Sequence, residues 1–543
     1  MANITAADDD NNVDNNTADN NRTDTDNNLG ILSSVIYICI IVMVGFPLWW
    51  TTTSPSRHSL PDVSALMVSS QTIRHQLQVT VVAVDNDIDR QELKSQLVGN
   101  WPQKFSPDGS CSYGYEWKVR ALLPKEELFF NNSGSQRRPL SDIDDKLTAI
   151  KDHETVGKLW LFVLPSNTKL ISGQQRHVFG KNRFFYLRND PKVFDEKSLA
   201  EIINELVEST QILTEKAYNS QRIDFLLYPE IDIIVNVVNE DETNNELLKK
   251  RVDEIHSIGD IGLTKQSGIS ELIRFNIITQ TLHYVFKDNF ISTHLNNANN
   301  NNDSRLTIGG TDRLFDVKNV PILMNTVESR VVEHNNKQSF HILVYIPSDG
   351  PLFFYDITHE TKSNIMVTPF RGGVIVWNKD NDFVNGFRAV IRNLIALPNE
   401  IPKNLITNEL FFAKWELDAI RRSITQKRIL KTLASLESIS KLIHKVNNIV
   451  IIQEIAKRMH TAVDVSIEAI NCLHETDLKN AYKLSTKGYL SSETAFFDPS
   501  LLSLLYFPDD QKYAVYFPLF LPVSLPVFSS LYYLYKTYKT RMR

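Results

Sequence analysis

Two long uncharged apolar blocks bracket the chain, and the sequence between them alternates on a much shorter wavelength. The first block runs from Leu29 to Trp50, 22 positions without a charge. As a helix rising 1.5 Å per residue it spans about 33 Å, enough to cross a hydrocarbon core of roughly 30 Å. Trp49 and Trp50 close it, where indole rings favour the headgroup level. The second block, Tyr513 to Tyr535, is uncharged for 23 residues and carries tyrosines at both ends. Each predicts a transmembrane helix. A cleaved signal peptide fits the first block poorly: it is long for an h-region, an acidic segment precedes it, and it ends in bulky Pro47-Leu48-Trp49-Trp50.

Between about 70 and 400, short β-branched runs have strand length. They are Leu77–Val84, Leu159–Leu164, Ile231–Val238, His341–Ile346 and Gly373–Trp377. Helical spacing appears between some of them, notably over Asp195–Thr214, with Leu199, Ile202, Ile203, Leu206 and Ile212 as the apolar positions. Such alternation predicts an α/β (mixed α+β) domain with helices covering a sheet. From about Pro402 the pattern turns helical: Asn408–His444 has no Gly or Pro, and Ile449–Tyr489 has no Pro and a single Gly488 near its end. Two or three long helices are expected there.

The predicted organisation therefore has six parts. Residues 1–28 form an Asn/Asp/Thr-rich disordered segment with seven aspartates, and 29–50 the first span. Residues 51–400 make an α/β domain, and 401–512 a helical region with a juxtamembrane loop. The second span is 513–535, and 536–543 a basic tail. A second Asn-rich tract, Asn296–Asp303, reads as a disordered loop.

Charge sets the orientation. Lys536, Lys539, Arg541 and Arg543 follow the second block, whereas Asp509, Asp510 and one lysine precede it. The positive-inside rule puts this tail in the cytosol, and two spans then put the N-terminus there too, with the bulk of the chain lumenal. The overall net charge of -6 and the lack of a basic patch argue against nucleic acid as a partner. Sequons at Asn131 and Asn302 are candidate N-glycosylation sites in that lumenal stretch. Three cysteines make no disulfide framework: Cys39 lies inside the first span, and Cys111 and Cys472 are either bridged or two unpaired thiols.

Candidate chemistry is sparse. Cys111 with His153 would form a thiol–imidazole pair if the fold joined them, though a cysteine in a domain of this size is usually inert. Asp498, Asp509 and Asp510 resemble a carboxylate cluster for a metal, yet Asp509 and Asp510 stand where acids cap the N-terminus of the second span. Arg371-Gly372-Gly373 is too short for a phosphate loop and lacks its Lys-Ser/Thr. No catalytic, cofactor-binding or metal-binding residue is predicted. Pro518, Pro522 and Pro526 recur every four residues in the second span, which places them close to one face. Each removes an i to i−4 bond and frees a carbonyl that must find another partner in hydrocarbon. With Asp509 and Asp510 they mark a candidate docking face at the membrane for another subunit's helices.

The segment Ser491–Pro522, SSETAFFDPSLLSLLYFPDDQKYAVYFPLFLP, closely resembles the juxtamembrane loop and last span of the PIG-S family. Further matches fall in the family's order: GFPLWW at Gly45–Trp50, NTVESR at Asn325–Arg330, RGGVIVWN at Arg371–Asn378, KWELD at Lys414–Asp418 and NNIVI at Asn447–Ile451. Two departures stand out: Asp/Asn replaces the basic residues usual before the first span, and Asn296–Asp303 looks inserted. The resemblance implies a non-catalytic subunit of the GPI transamidase complex of the endoplasmic reticulum membrane. That complex joins preassembled GPI to the C-terminal ω site of precursor proteins. It implies PIG-K, PIG-T, PIG-U and the Gaa-type subunit as partners, with the cysteine–histidine catalytic pair belonging to PIG-K. A subunit of this kind would serve assembly or activation of the precursor carbonyl, and contact with GPI lipid or precursor stays open. The alternatives are a membrane-tethered lumenal hydrolase or transferase with an unrecognised site, and a module that binds GPI near Asp509 and the proline face.

Overall fold

The unbroken β-branched runs fold as parallel strands buried on both faces, the arrangement such runs favour. The computed structural model describes residues 29–542, leaving out 54–57, 86, 100–103, 106–111, 131–138, 151–152, 154, 172–174, 191–196, 240–244, 260–267, 283–312, 330–338, 348–349, 357–360, 369–371, 379, 399–401, 403, 407–410, 446–450 and 500–508. The described residues form two compact units. The larger comprises residues 62–437 and 460–493; the smaller draws on residues up to 61, 438–459 and 494–543.

Two sheets organise the larger unit. In the first, β1 (Arg74–Ala83), β2 (Lys104–Phe105), β3 (Ser112–Ala121), β4 (Lys158–Pro165), β5 (His177–Phe179) and β6 (Phe184–Asn189) lie in the order β2-β3-β1-β4-β6-β5. The four central strands are parallel, and β2 and β5 are antiparallel edges. The chain continues with β7 (Glu230–Asn239), β8 (Arg274–Leu282), β9 (Arg313–Asp316), β10 (Ser339–Ile346), β11 (Leu352–Asp356), β12 (Thr361–Ser363), β13 (Ile365–Thr368) and β14 (Gly372–Val376). The second sheet runs β13-β14-β10-β7-β8, with β13 its antiparallel edge; a small third sheet runs β12-β11-β9.

Counting only parallel strands in chain order, both large sheets read second-first-third-fourth. In both, a short antiparallel strand comes directly before the fourth parallel strand and pairs with it: β5 with β6, β13 with β14. A helix follows each fourth strand, Leu199–Asn219 and Asp380–Leu394. The larger unit thus uses one doubly wound topology twice.

One continuous apolar core joins the two sheets. It contains Val79 and Val81 of β1, Ile203 and Val207 of the Leu199–Asn219 helix, Ile233 and Val235 of β7, Phe387 and Ile420. The Leu199–Asn219 helix starts with a capping box: the Glu201 N–H donates to Ser198 Oγ and the Ser198 N–H to a Glu201 carboxylate oxygen, each at 3.2 Å. Four of the five apolar positions expected on this helix face inward or are half-buried, but Ile212 is exposed on the outer side. Helices Lys414–Lys445, Gln453–His474 and Leu478–Phe496 follow the sheets.

In the smaller unit, the stretch Leu29–Leu48 is helical, apolar and long enough to cross a membrane, and none of it is buried within the protein. Its middle opens into a π turn at Ile41–Gly45, where the Phe46 N–H donates to Ile41 O. Pro47 follows at once, and widening the preceding turn relieves the clash its ring would make with an i−4 carbonyl. A second long helix, Asp509–Arg541, contains Pro518, Pro522 and Pro526.

Candidate functional site

The imidazole offered for catalysis is held by its neighbours at both ring nitrogens. His153 Nε2 lies 2.8 Å from a Glu126 carboxylate oxygen, and its Nδ1 lies 3.1 Å from Leu147 O, so both ring nitrogens are engaged. The ring also packs 4.2 Å from Trp160, centroid to centroid. Glu126, fully buried, is clamped on its other side by Arg120 at 2.5 and 2.7 Å and accepts the Leu123 N–H at 2.8 Å. Burial pushes this carboxyl up, but the Arg120 and His153 contacts outweigh it and hold it at about 2. Cys111 lies outside the described residues. Cys39 and Cys472 are free thiols, and burial pushes the Cys472 thiol up, away from the reactive thiolate.

The KWELD motif opens the most polar buried helix of the larger unit, Lys414–Lys445, and each of its last four residues has a specific task. Trp415 Nε1–H donates to Gly180 O at 3.2 Å. Glu416 receives Arg392 in a two-pronged pair at 2.7 and 3.0 Å, deep in the core. Leu417 is buried in the shared apolar core. Asp418 accepts from Arg183 Nε at 2.5 Å and Nη2 at 3.0 Å, from Arg421 Nη1 at 2.9 Å and from the Gly157 N–H at 3.0 Å. Burial pushes the Asp418 carboxyl up; Arg183, Arg421 and Arg422 reverse that and hold it below the usual carboxylate range. Nearly three turns later, Arg428 donates to Leu227 O at 2.8 Å and to Thr486 Oγ1 at 2.6 Å. The period-3.6 apolar pattern of this segment hid the polar ladder, because a helix buried on all sides needs no solvent face.

Two adjoining cavities of about 530 and 390 Å³ open beside this ladder, the larger at the N-terminal ends of β7 and β8 and the smaller beside the segments that lead into β4, β6 and β8. Both are bordered by Glu271, Arg421 and Lys479; Tyr482 and Lys483 line the larger, Arg183 and Lys414 the smaller. None of these residues was singled out from sequence for binding, since they come from segments hundreds of positions apart.

Of the candidate glycosylation sites, Asn131 and Asn302 both lie outside the described residues. Asp509 and Asp510 are the first two residues of the last helix, and Pro518, Pro522 and Pro526 lie exposed along it. Gly30, at the start of the first apolar helix, faces Tyr533, near the end of the last: a Cβ added to Gly30 would stand 2.8 Å from the Tyr533 hydroxyl. The start of one helix therefore approaches a side chain near the end of the other. No group of three or more His, Cys, Asp or Glu suited to a metal occurs among the described residues.

The larger unit is a doubled α/β fold with buried polar struts, and the smaller unit holds a helix long and apolar enough to cross a membrane. Residues 36–541 match the family described as phosphatidylinositol-glycan biosynthesis class S protein, PIG-S, and the chain belongs to that family. It is 25% identical over 559 residues to the GPI-anchor transamidase component PIGS of Homo sapiens, covering 92% of this chain and 94% of the relative. The Bos taurus protein of the same name is also 25% identical, over 94% of this chain and 96% of its own. The GPI transamidase component PIG-S homolog of Schizosaccharomyces pombe shares 25% over 217 residues, 37% of this chain.

Proposed function

We propose that this chain is a non-catalytic subunit of a GPI transamidase in the endoplasmic reticulum membrane, anchored by two spans with its α/β unit in the lumen. The observation that carries this reading is the family match from residue 36 to 541, which runs from inside the first apolar helix to the end of the last. The engaged His153 and the raised Cys472 thiol support a supporting role over a hydrolase or transferase role. The partners are the subunits resembling PIG-K, PIG-T, PIG-U and the Gaa-type protein. They meet the chain through its lumenal surface and through the proline-bearing face of the Asp509–Arg541 helix, whose freed carbonyls need partners.

A tagged chain drawn from mild detergent extracts should bring those subunits with it, and depleting the chain should block GPI attachment to a reporter precursor. Cys111→Ala should leave attachment intact. Complete loss of attachment with the complex still assembled would move the chemistry onto this chain and overturn the proposal.

A further inference from the structure

The paired cavities beside Arg421 carry an excess of positive charge that the described residues do not balance. Arg274 and Glu230, on one wall, satisfy each other at 3.0 Å. Arg421 is buried and borders both cavities, yet its carboxylate partner Asp418 is already gripped through two contacts by Arg183. The other acid within reach, Glu271, is 3.6 Å away and largely exposed, where an ion pair contributes little. Lys479 and Lys483 stand four residues apart on the Leu478–Phe496 helix and both line the larger cavity. Like charges at that spacing repel. Tyr482 between them fixes the helix by donating its hydroxyl proton to Leu272 O, and Arg428 stacks on its ring at 4.6 Å.

A buried guanidinium with a shared partner, facing two lysines across a cavity, is costly when empty and favourable when an anion fills it. We infer that this cleft binds a phosphate-bearing ligand, a phosphomonoester with a small polar body, held by Arg421, Lys479 and Lys483. Phosphate suits the three donors because it brings close to two negative charges and three strong acceptor oxygens, where a carboxylate brings one charge. The volumes of about 530 and 390 Å³ exceed what a bare ion needs and suit a small organic molecule. The site is built from residues of the larger unit alone, so it stands or falls independently of the subunit role.

The test is calorimetric titration of the full chain in neutral detergent, with glycerol phosphate in one arm and micelles doped with phosphatidic acid, a lipid phosphomonoester, in the other. Binding of glycerol phosphate supports a soluble phosphomonoester; binding in the lipid arm alone supports a headgroup as the source. In either case Lys479→Gln with Lys483→Gln should weaken binding by about tenfold or more while leaving the unliganded melting temperature unchanged, because both side chains are exposed. Glu271→Gln should tighten binding by a few fold. No binding in either arm, or equal binding by the double lysine variant, overturns the proposal.

Discussion

Asp418 serves two guanidinium groups and a backbone N–H with one carboxylate, which makes it the residue whose loss the fold would feel most. Asp418→Asn removes the charge but keeps the shape, leaving Arg183 and Arg421 facing each other in a buried site. Breaking a buried pair from one side costs about 3–5 kcal/mol. We expect a large fall in the melting temperature of the purified chain, and an unchanged value would show the ladder to be dispensable. Asp144 presents the opposite case. It accepts from the Asn182 N–H at 3.1 Å, Asn182 Nδ2 at 2.7 Å and Tyr186 OH at 3.1 Å, yet burial wins and its carboxyl is raised from 3.8 to about 6. Because the folded value lies above the unfolded one, Asp144 costs stability progressively as pH rises from about 4 through 6 and levels off above. Asp144→Asn should therefore stabilise the chain at pH 7 by up to about 3 kcal/mol and flatten this slope. Glu126 acts in the reverse sense: depressed from 4.5 to about 2, it stabilises fully above 4.5, and that contribution drains away as pH falls toward 2. Thermal melts of Asp144→Asn between pH 2 and 8 separate the two, since only the Asp144 part of the profile should vanish.

At the scale of elements, legibility followed burial. The five β-branched runs became β1, β4, β7, β10 and β14, all central or next to the sheet edge, where both faces are covered and the sequence reads as an unbroken apolar stretch. The strands that escaped are more mixed. β3 (SYGYEWKVRA) and β8 (RFNIITQTL) each carry polar residues on a half-exposed face, and β6 owes its burial to aromatics. Their pairing depends on partners far along the chain, which no local period reveals. The repeated strand order was invisible for the same reason. The Arg371-Gly372-Gly373 motif, rejected as a phosphate loop, has a backbone explanation instead. Gly372 has φ +133, and a Cβ there would meet His341 O of β10 at 1.8 Å. Only glycine lets β14 start alongside β10 in the register that pairs His341 with Gly372. Gly372→Ala should cost at least about 2 kcal/mol and lower the yield of folded chain, whereas alanine at Gly268, whose added Cβ meets nothing within 4 Å, should be milder despite its positive φ.

For the whole molecule, the proposed two-span arrangement makes one demand that the fold can be asked to meet: both chain ends must lie on the same side of the bilayer. The first helix begins where the last one ends, because Gly30 and Tyr533 are in contact range. A start-to-end approach of the two helices agrees with that demand, and under the two-span proposal the basic residues after Tyr535 would put the shared side in the cytosol. The sequence carried the two apolar blocks plainly because hydrocarbon imposes a length and excludes charge, but it could not show their approach, which rests on one glycine beside one tyrosine. Replacing Gly30 with Leu would displace the Tyr533 ring and loosen the approach at that point. In sealed microsomes, protease should remove epitopes fused at either terminus and spare one inserted in the 296–303 tract. Gly30→Leu should keep that pattern but reduce disulfide capture between cysteines introduced at Ser33 and Ser530. Protection of the termini with loss of the central epitope would reverse the orientation, and loss of only one terminal epitope would leave a single crossing.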